Sequence, residues 1–237
     1  MCRERAMSFQ DFLERNAYPG RGLAIGLDDA RRTTGLYWVT GRSTESRQRR
    51  GRMNGTDVVI GPASAEDGAD ADPLRHYRAL RTTTSAVMVG NGSHVDDIAE
   101  RVTEGATFAT ALTAHDYEPD PPIHTPRIAG MIDTQADSVW VGCARRSDIS
   151  HGTEHLVMHA RIPAGLALGL TTYASDGERV EIDARPRWLR LPTEGSPLEV
   201  LWQLLDPRFS VLAFSWTDGH VAIRETTGPV DIEAPRP

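Results

Sequence analysis

The residues best suited to chemistry in this chain are arginines, tyrosines and one carboxylate set where strands should begin or end. None of its 26 basic residues is a lysine. A lysine Schiff base, a lysine general base and a P-loop lysine are therefore excluded. Any phosphate must be held by arginine, backbone N–H groups or hydroxyls. The planar guanidinium suits this, because it grips an oxyanion through two parallel hydrogen bonds. Tyr18-Pro19-Gly20-Arg21-Gly22 sets Arg21 between two glycines. Glycine lets backbone approach a ligand closely, although the segment alone also reads as an ordinary turn. Further on, the aromatic run Leu36-Tyr37-Trp38-Val39-Thr40 leads into Gly41-Arg42-Ser43 and then Arg47. Such a strand end can stack a base and bind a phosphate. A solvated basic loop is the plainer reading, and nucleic-acid contact through Arg42, Arg47, Arg49, Arg50 and Arg52 is a third. The net charge of −7 and the lack of interleaved aromatics disfavour that third reading.

Val87-Met88-Val89-Gly90-Asn91-Gly92 ends an apolar strand in an Asn-Gly turn. Asn91 can present its amide to a ligand; equally, the turn can simply start a helix whose first turn holds Asp96 and Asp97. Glu118 precedes a proline-rich stretch, YEPDPPIHTP, that stiffens its backbone, and Arg127 stands just beyond it. Unaided, this also reads as a surface loop with an ordinary carboxylate. Two further patterns argue against themselves. His151, His155 and His159 recur every four residues, but the apolar residues among them favour a strand, where ~13 Å would separate neighbours, too far to share one zinc ion. Cys2 could become an N-terminal thiol nucleophile, yet a polar helix stands between it and the first strand. No metal or cofactor is expected.

The elements that must position these groups are mostly strands. Residues 7–16 predict a short amphipathic helix with Met7, Phe9, Phe12 and Leu13 on one side. Arg21–Leu27 and Thr33–Thr40 read as a hairpin, residues 41–52 as a polar loop, Thr56–Gly61 as a strand and 62–72 as an acidic loop. Pro73–Arg81 is expected to be helical and Ser85–Gly90 a buried strand. His94–Glu104 and Thr107–Ala114 are expected to be helices. Strands are predicted at Ile128–Asp133, Val139–Ala144, His155–Ile162 and Ala167–Tyr173. Leu198–Leu205 predicts a helix, and Ser210–Trp216 with His220–Glu225 a closing hairpin. Strands surrounding two helical stretches indicate an α+β protein; irregular alternation and the lack of a Gly-rich fingerprint argue against a doubly wound sheet. At 237 residues the chain can bury a sizeable core without staples. It has no apolar run of ~18 residues and no apolar stretch near its N-terminus. With two cysteines, a reduced cytoplasmic setting is expected, with no membrane or nucleic-acid partner.

Taken in order, YPGRG, YWVTGRSTESRQR, HYRALR, VGNGSHVDDI and YEPDPPIHTPRIAG resemble the archaeal type of IMP cyclohydrolase and its bacterial relatives. The likeness runs from Tyr18 to Tyr173, and the GRSxxSRxR and YEPDxPxxTPRI strings are its specific parts. It implies a four-layer αββα sandwich resembling N-terminal-nucleophile hydrolases, without their nucleophile. It also implies closure of 5-formamidoimidazole-4-carboxamide ribonucleotide to IMP and water. Residues 1–17 would be a helical extension and 18–237 a single domain. Two departures are the added N-terminal helix and Ser93, where relatives often carry Asp after Asn-Gly.

The motifs carry over Arg42, Arg47, Tyr77, Asn91 and Glu118; with Arg21, Tyr37, Asn54, Gly92 and Arg127 added, Arg42, Tyr77 and Glu118 are expected to be catalytic and the others to bind substrate. Arg21 and Arg47 would hold the 5′-phosphate or orient the carboxamide. Arg42 and Tyr77 would bind the formyl oxygen and help it leave, and Glu118 would accept or orient the carboxamide N–H. Tyr37, Asn54, Asn91 and Arg127 would shape the base and ribose pocket. A nucleotide substrate and a homo-oligomer are expected. Two other readings are a non-catalytic purine-nucleotide binder, and an amide cyclase or amidohydrolase acting on a modified nucleotide.

Overall fold

The protein is described here from a computed structural model covering residues 6–14, 16–62, 76–134, 136 and 138–226. It opens on a two-residue strand, β1 (Met7–Ser8), and a helix, α1 (Phe9–Glu14). Phe9, Phe12 and Leu13 fall on one face of that helix and are buried. Met7 is not part of that face: it lies on β1 and is 40% exposed. Next come β2 (Arg21–Leu27) and β3 (Thr33–Thr40), paired antiparallel as the pattern predicts. Every residue of β2 is buried, so both faces of this strand are covered.

Residues 41–52 are not the loop expected. They hold a single helical turn, α2 (Thr44–Arg47), and the first part of a strand, β4 (Arg49–Asn54). Ser43 caps the turn, its hydroxyl accepting from the Ser46 N–H at 3.1 Å. β4 pairs with β5 (Asp57–Pro62). The helix expected over Pro73–Arg81 is instead a strand, β6 (Tyr77–Thr82), hydrogen-bonded between β5 and β7 (Ala86–Gly90). Pairing on both sides overrides the local helical pattern of this short segment. Cys2, the loop at 63–72 and residues 73–75 lie outside the described residues.

The rest follows the expected order: helices α3 (His94–Thr103) and α4 (Phe108–Leu112), then strands β8 (Arg127–Asp133), β9 (Ser138–Arg146), β10 (Thr153–Arg161) and β11 (Leu166–Thr171). Three short strands were not foreseen: β12 (Tyr173–Ala174), β13 (Glu181–Ile182) and β14 (Arg187–Arg190). Helix α5 (Pro197–Leu204) and the hairpin β15 (Ser210–Thr217) and β16 (His220–Glu225) complete the chain.

Among the described residues, two seven-stranded sheets form, in the orders β1-β14-β11-β2-β3-β15-β16 and β10-β9-β8-β7-β6-β5-β4. The mixed α+β class is therefore as expected. Side-chain alternation sends residues of each sheet to two apolar clusters. Leu23, Ile25, Tyr37 and Val39 of the first sheet meet Val87, Val89, Ile128 and Val141 of the second in one cluster. Ala24, Leu36 and Trp38 turn the other way, onto Phe9, Phe12, Leu198 and Leu201 of α1 and α5. Met88, Ala129 and Met131 turn onto Val95, Ile98, Phe108 and Leu112 of α3 and α4. At Gly130 the sheets approach so closely that a β-carbon would stand 2.6 Å from Ile25 Cδ1. No described helix is long and apolar enough to cross a membrane.

Candidate active site

Several strands of both sheets begin or end at one edge of the molecule. In the first sheet Arg21 opens β2 opposite Val39, near the end of β3, and Gly22 faces Thr171, the last residue of β11. In the second, Gly90 closes β7 opposite Ala129, two residues inside β8, while Arg49 and Tyr77 open β4 and β6. Gly20 makes this convergence possible. Its φ of +70° is strained for any other residue, and a β-carbon there would lie 2.2 Å from Thr172 Oγ1. Its carbonyl accepts from Thr40 N at 2.7 Å and Thr40 Oγ1 at 2.9 Å. The next backbone N–H, that of Arg21, donates to Thr172 Oγ1 at 3.0 Å. The arginine is thus fixed from both neighbouring strands.

A cleft of about 410 Å³ opens at this edge, lined by Tyr18, Arg21, Arg42, Ser43, Ser46, Arg49, Glu118, Asp120 and Tyr173 among others. That is within the usual range for small-molecule sites. Glu118 lies at its floor, 1% exposed. Its Oε2 is 3.5 Å from an Arg21 guanidinium nitrogen, and its Oε1 is 3.4 Å from Asn91 Nδ2. Asn91 is wholly buried and fixed at both ends: Nδ2 donates to Pro126 O at 2.9 Å, and Oδ1 accepts from Ile128 N at 2.7 Å. The proline-rich loop is pinned in turn. Glu118 N donates to Thr125 O at 2.8 Å. Asp120 accepts from Thr125 N at 2.7 Å and from its hydroxyl at 2.6 Å, and that hydroxyl lies 2.5 Å from the Tyr173 hydroxyl.

Burial lifts the Glu118 carboxyl above the ordinary carboxylate value; Arg21 pulls it down, and Asp120 adds to the lift. Burial opposes the charge on Arg21, but Glu118 and the hydroxyls of Tyr77, Tyr173 and Tyr37 outweigh it, so the guanidinium is held above its usual value. Burial also pushes the Tyr173 hydroxyl up to about 12.

Of the residues assigned from the sequence, Arg21, Arg42, Glu118 and Asn91 gather at or directly beneath the cleft. Tyr37 and Tyr77 sit behind it, both buried, their hydroxyls 2.9 Å apart. Arg42 is exposed at the mouth, its guanidinium 4.9 Å above the Tyr18 ring. Gly92 and Arg127 lie to one side. A β-carbon on Gly92 would stand 3.3 Å from an Arg127 nitrogen, and Arg127 donates to His94 Nδ1 at 3.4 Å. His94 Nε2 is 3.0 Å from the Ile128 carbonyl, and burial, then Arg127, pushes its pKa down to about 3, so this ring stays neutral.

Two assigned residues lie elsewhere. Arg47 donates to the carbonyls of Arg208 and Gly41, because the turn of α2 aims it at the loop before β15. Asn54 is exposed at the end of β4, beside the hairpin turn at Gly55. The histidine series is also dispersed. His155 meets the His115 carbonyl at 2.8 Å, and His159 stacks on Trp140 at 3.7 Å. The reading from sequence missed Arg49, Asp120, Thr125 and Tyr173. The first three lie within the two specific strings and so were open to view; Tyr173, at the far limit of the resemblance, carried no signal of its own.

Fold and site together define a class: a two-sheet α+β protein with a strand-end cleft in which arginines surround one buried carboxylate. Residues 18–193 match the family described as IMP cyclohydrolase-like protein, and the chain belongs to that family. A protein of Haloquadratum walsbyi named IMP cyclohydrolase is 37% identical over 136 residues, 56% of this chain and 64% of its own length. One of Halobacterium salinarum with the same name is 38% identical over 132 residues, 54% of this chain and 63% of its own. One of Methanocella arvoryzae, also so named, is 30% identical over 172 residues, 69% of this chain and 83% of its own. The chain thus spans just under two thirds of the length of the two halophile relatives.

Proposed function

We propose that this protein is an IMP cyclohydrolase, closing 5-formamidoimidazole-4-carboxamide ribonucleotide to IMP and water without metal or cofactor. The observation that carries the reading is Glu118: a carboxylate 1% exposed at the floor of an arginine-lined cleft, with its pKa raised. A general base works best when its pKa approaches the operating pH, and burial moves Glu118 that way. The substrate supplies both reacting groups, so proximity is largely intramolecular. Glu118 takes one proton from the carboxamide nitrogen as that nitrogen bonds to the formyl carbon, and the formyl C=O electron pair moves onto oxygen. The oxygen then leaves as water, carrying that proton and a second one from the formamido nitrogen, as the C=N bond forms.

Arg42, with the Ser43 and Ser46 hydroxyls beside it at the mouth, suits the 5′-phosphate. Arg21 orients the carboxamide and balances Glu118. Tyr77 polarises the formyl oxygen, while Tyr37, Asn91, Gly92 and Arg127 form the wall behind it. Arg47 and Asn54 take no part in this scheme, since Arg47 is turned onto the carbonyls of Arg208 and Gly41 and Asn54 is exposed at the far end of β4. The three apolar clusters support the finer architecture, a four-layer αββα sandwich like that of N-terminal-nucleophile hydrolases. An enzyme of nucleotide synthesis belongs in the cytoplasm, and the reading carries with it the homo-oligomer expected for the family. The test is direct. Purified protein mixed with the formylated nucleotide and a chelator should produce the absorbance of IMP. Tight binding of IMP without ring closure would overturn the proposal in favour of a non-catalytic nucleotide binder.

A further inference from the structure

One arginine of the cleft has no role in this scheme. Arg49 lines the floor and is only 7% exposed. Its Nε is buried without a hydrogen-bond partner among the described residues. Burial and then the charge of Arg21 both weigh against its proton, while Tyr77, Tyr37 and Glu118 favour it. Arg21 has Glu118 at 3.5 Å; Arg49 has no such ion pair among the described residues. Two buried guanidinium groups therefore face one buried carboxylate, since the cleft's other carboxylate, Asp120, is only half-buried and accepts from Thr125. Guanidinium does not shed its proton to escape burial, and an uncompensated buried charge is costly. Such a charge weakens the free protein and is relieved when something anionic arrives to complete it.

We propose that Arg49 is a catalytic residue that grips the formyl oxygen and stabilises the negative charge gathering there as the carboxamide nitrogen attacks. The inference rests on the cyclohydrolase reading and deepens it. Position decides between the two anionic parts of the substrate. The mouth of the cleft already has Arg42 with two serine hydroxyls for a phosphate. Arg49 instead lies deep, close enough to Tyr37, Tyr77 and Glu118 for each to act on its charge. Glu118 must meet the carboxamide nitrogen, and the formyl oxygen is a neighbour of that nitrogen when ring closure begins. A donor aimed at that oxygen raises the rate only if it binds the transition state more strongly than the ground state. A guanidinium kept short of anionic partners meets this condition.

The experiment compares wild type, Arg49→Met and Arg49→Gln. Both variants should lose about 10²–10³-fold in kcat, with KM changed by less than about threefold. Arg49→Met should unfold at the same temperature as wild type or higher, because an uncompensated charge is replaced by an apolar side chain of similar length. A merely structural arginine would do the reverse, lowering Tm and sparing kcat. If Arg49→Met folds poorly, Arg49→Gln carries the test, since it keeps a donor but not the charge. Wild-type kcat in the variant that folds overturns the proposal, as does a raised KM with kcat intact, the signature of a phosphate anchor. A wild-type protein that closes no ring fails the cyclohydrolase reading itself, which is a separate and distinguishable outcome.

Discussion

At the residue scale, Glu118 is subject to opposed forces, and the balance is open to measurement. Burial raises its pKa above the ordinary value of 4.5, and Arg21 holds it back. A base must be deprotonated to act, so kcat/KM should fall as pH drops through the Glu118 pKa of the free protein, with the midpoint above 4.5. Arg21→Met removes the charge that favours the carboxylate, so the acidic limb should move to higher pH. Glu118→Gln should bind IMP nearly as wild type does, yet lose at least ~10²-fold in kcat, and with it the limb. Steady-state rates from pH 4 to 8, with calorimetry on IMP, check all three. Near wild-type turnover in Glu118→Gln would remove this residue as the proton carrier.

At the element scale, what matters is how the loop before β8 holds that carboxylate. Thr125 Oγ1 bridges Asp120 and Tyr173 at 2.6 and 2.5 Å, while its backbone carbonyl takes the Glu118 N–H. Thr125→Val keeps the shape and removes both hydroxyl contacts. Hydrogen bonds to charged groups contribute about 1.5–3 kcal/mol, and a chain of this size loses roughly 2–4 °C in Tm per kcal/mol. The expected result is a drop of several degrees and a fall in kcat of about tenfold or more, since small misplacements of catalytic groups are amplified in rate. Unchanged kcat beside a lowered Tm would show that the Asp120 contact to the Thr125 N–H alone suffices to position Glu118. The same scale explains what the sequence could and could not disclose. Strands such as β2, β3 and β7 are apolar enough to be read directly. β4 and β6 carry arginine at Arg49, Arg50, Arg52, Arg78 and Arg81, which hides their alternation, so one reads as a loop and the other as a helix. The same masking reaches the cleft. Which arginine of GRSxxSRxR faces the cleft depends on a single turn, α2, that turns Arg47 away and on the strand start that turns Arg49 in. Glu118 is placed at the cleft without such knowledge, because the motif singles it out, while the prolines alone leave an ordinary surface loop equally open.

At the scale of the whole molecule, residues 6–14, with Asn16, are more than an appendage. Phe9 and Phe12 stand nearly perpendicular to the Trp38 ring, with centroids 6.2 and 6.4 Å away, and Leu13 is buried in the same cluster. Burying each such side chain contributes roughly 1.5–3 kcal/mol, against a total stability of about 5–15 kcal/mol for a domain. Asn16 acts differently: its side chain donates to Tyr173 O at 2.7 Å and accepts from Ser175 N at 2.9 Å, bracing the segment that carries a cleft tyrosine. Two truncations separate these roles. Removing residues 1–14 should uncover Trp38, shift its fluorescence to the red, lower Tm sharply and promote self-association through the exposed apolar face. At a temperature where this form stays folded, its turnover should match the full chain, since Asn16 and the cleft are intact. Removing residues 1–17 should add a loss of kcat, because Tyr173 then loses its brace and with it the fixed position of Thr125. Equal turnover in the two truncated forms would confine the N-terminal segment to stability alone, whereas equal Tm in the shorter truncation and the full chain would remove α1 from the core.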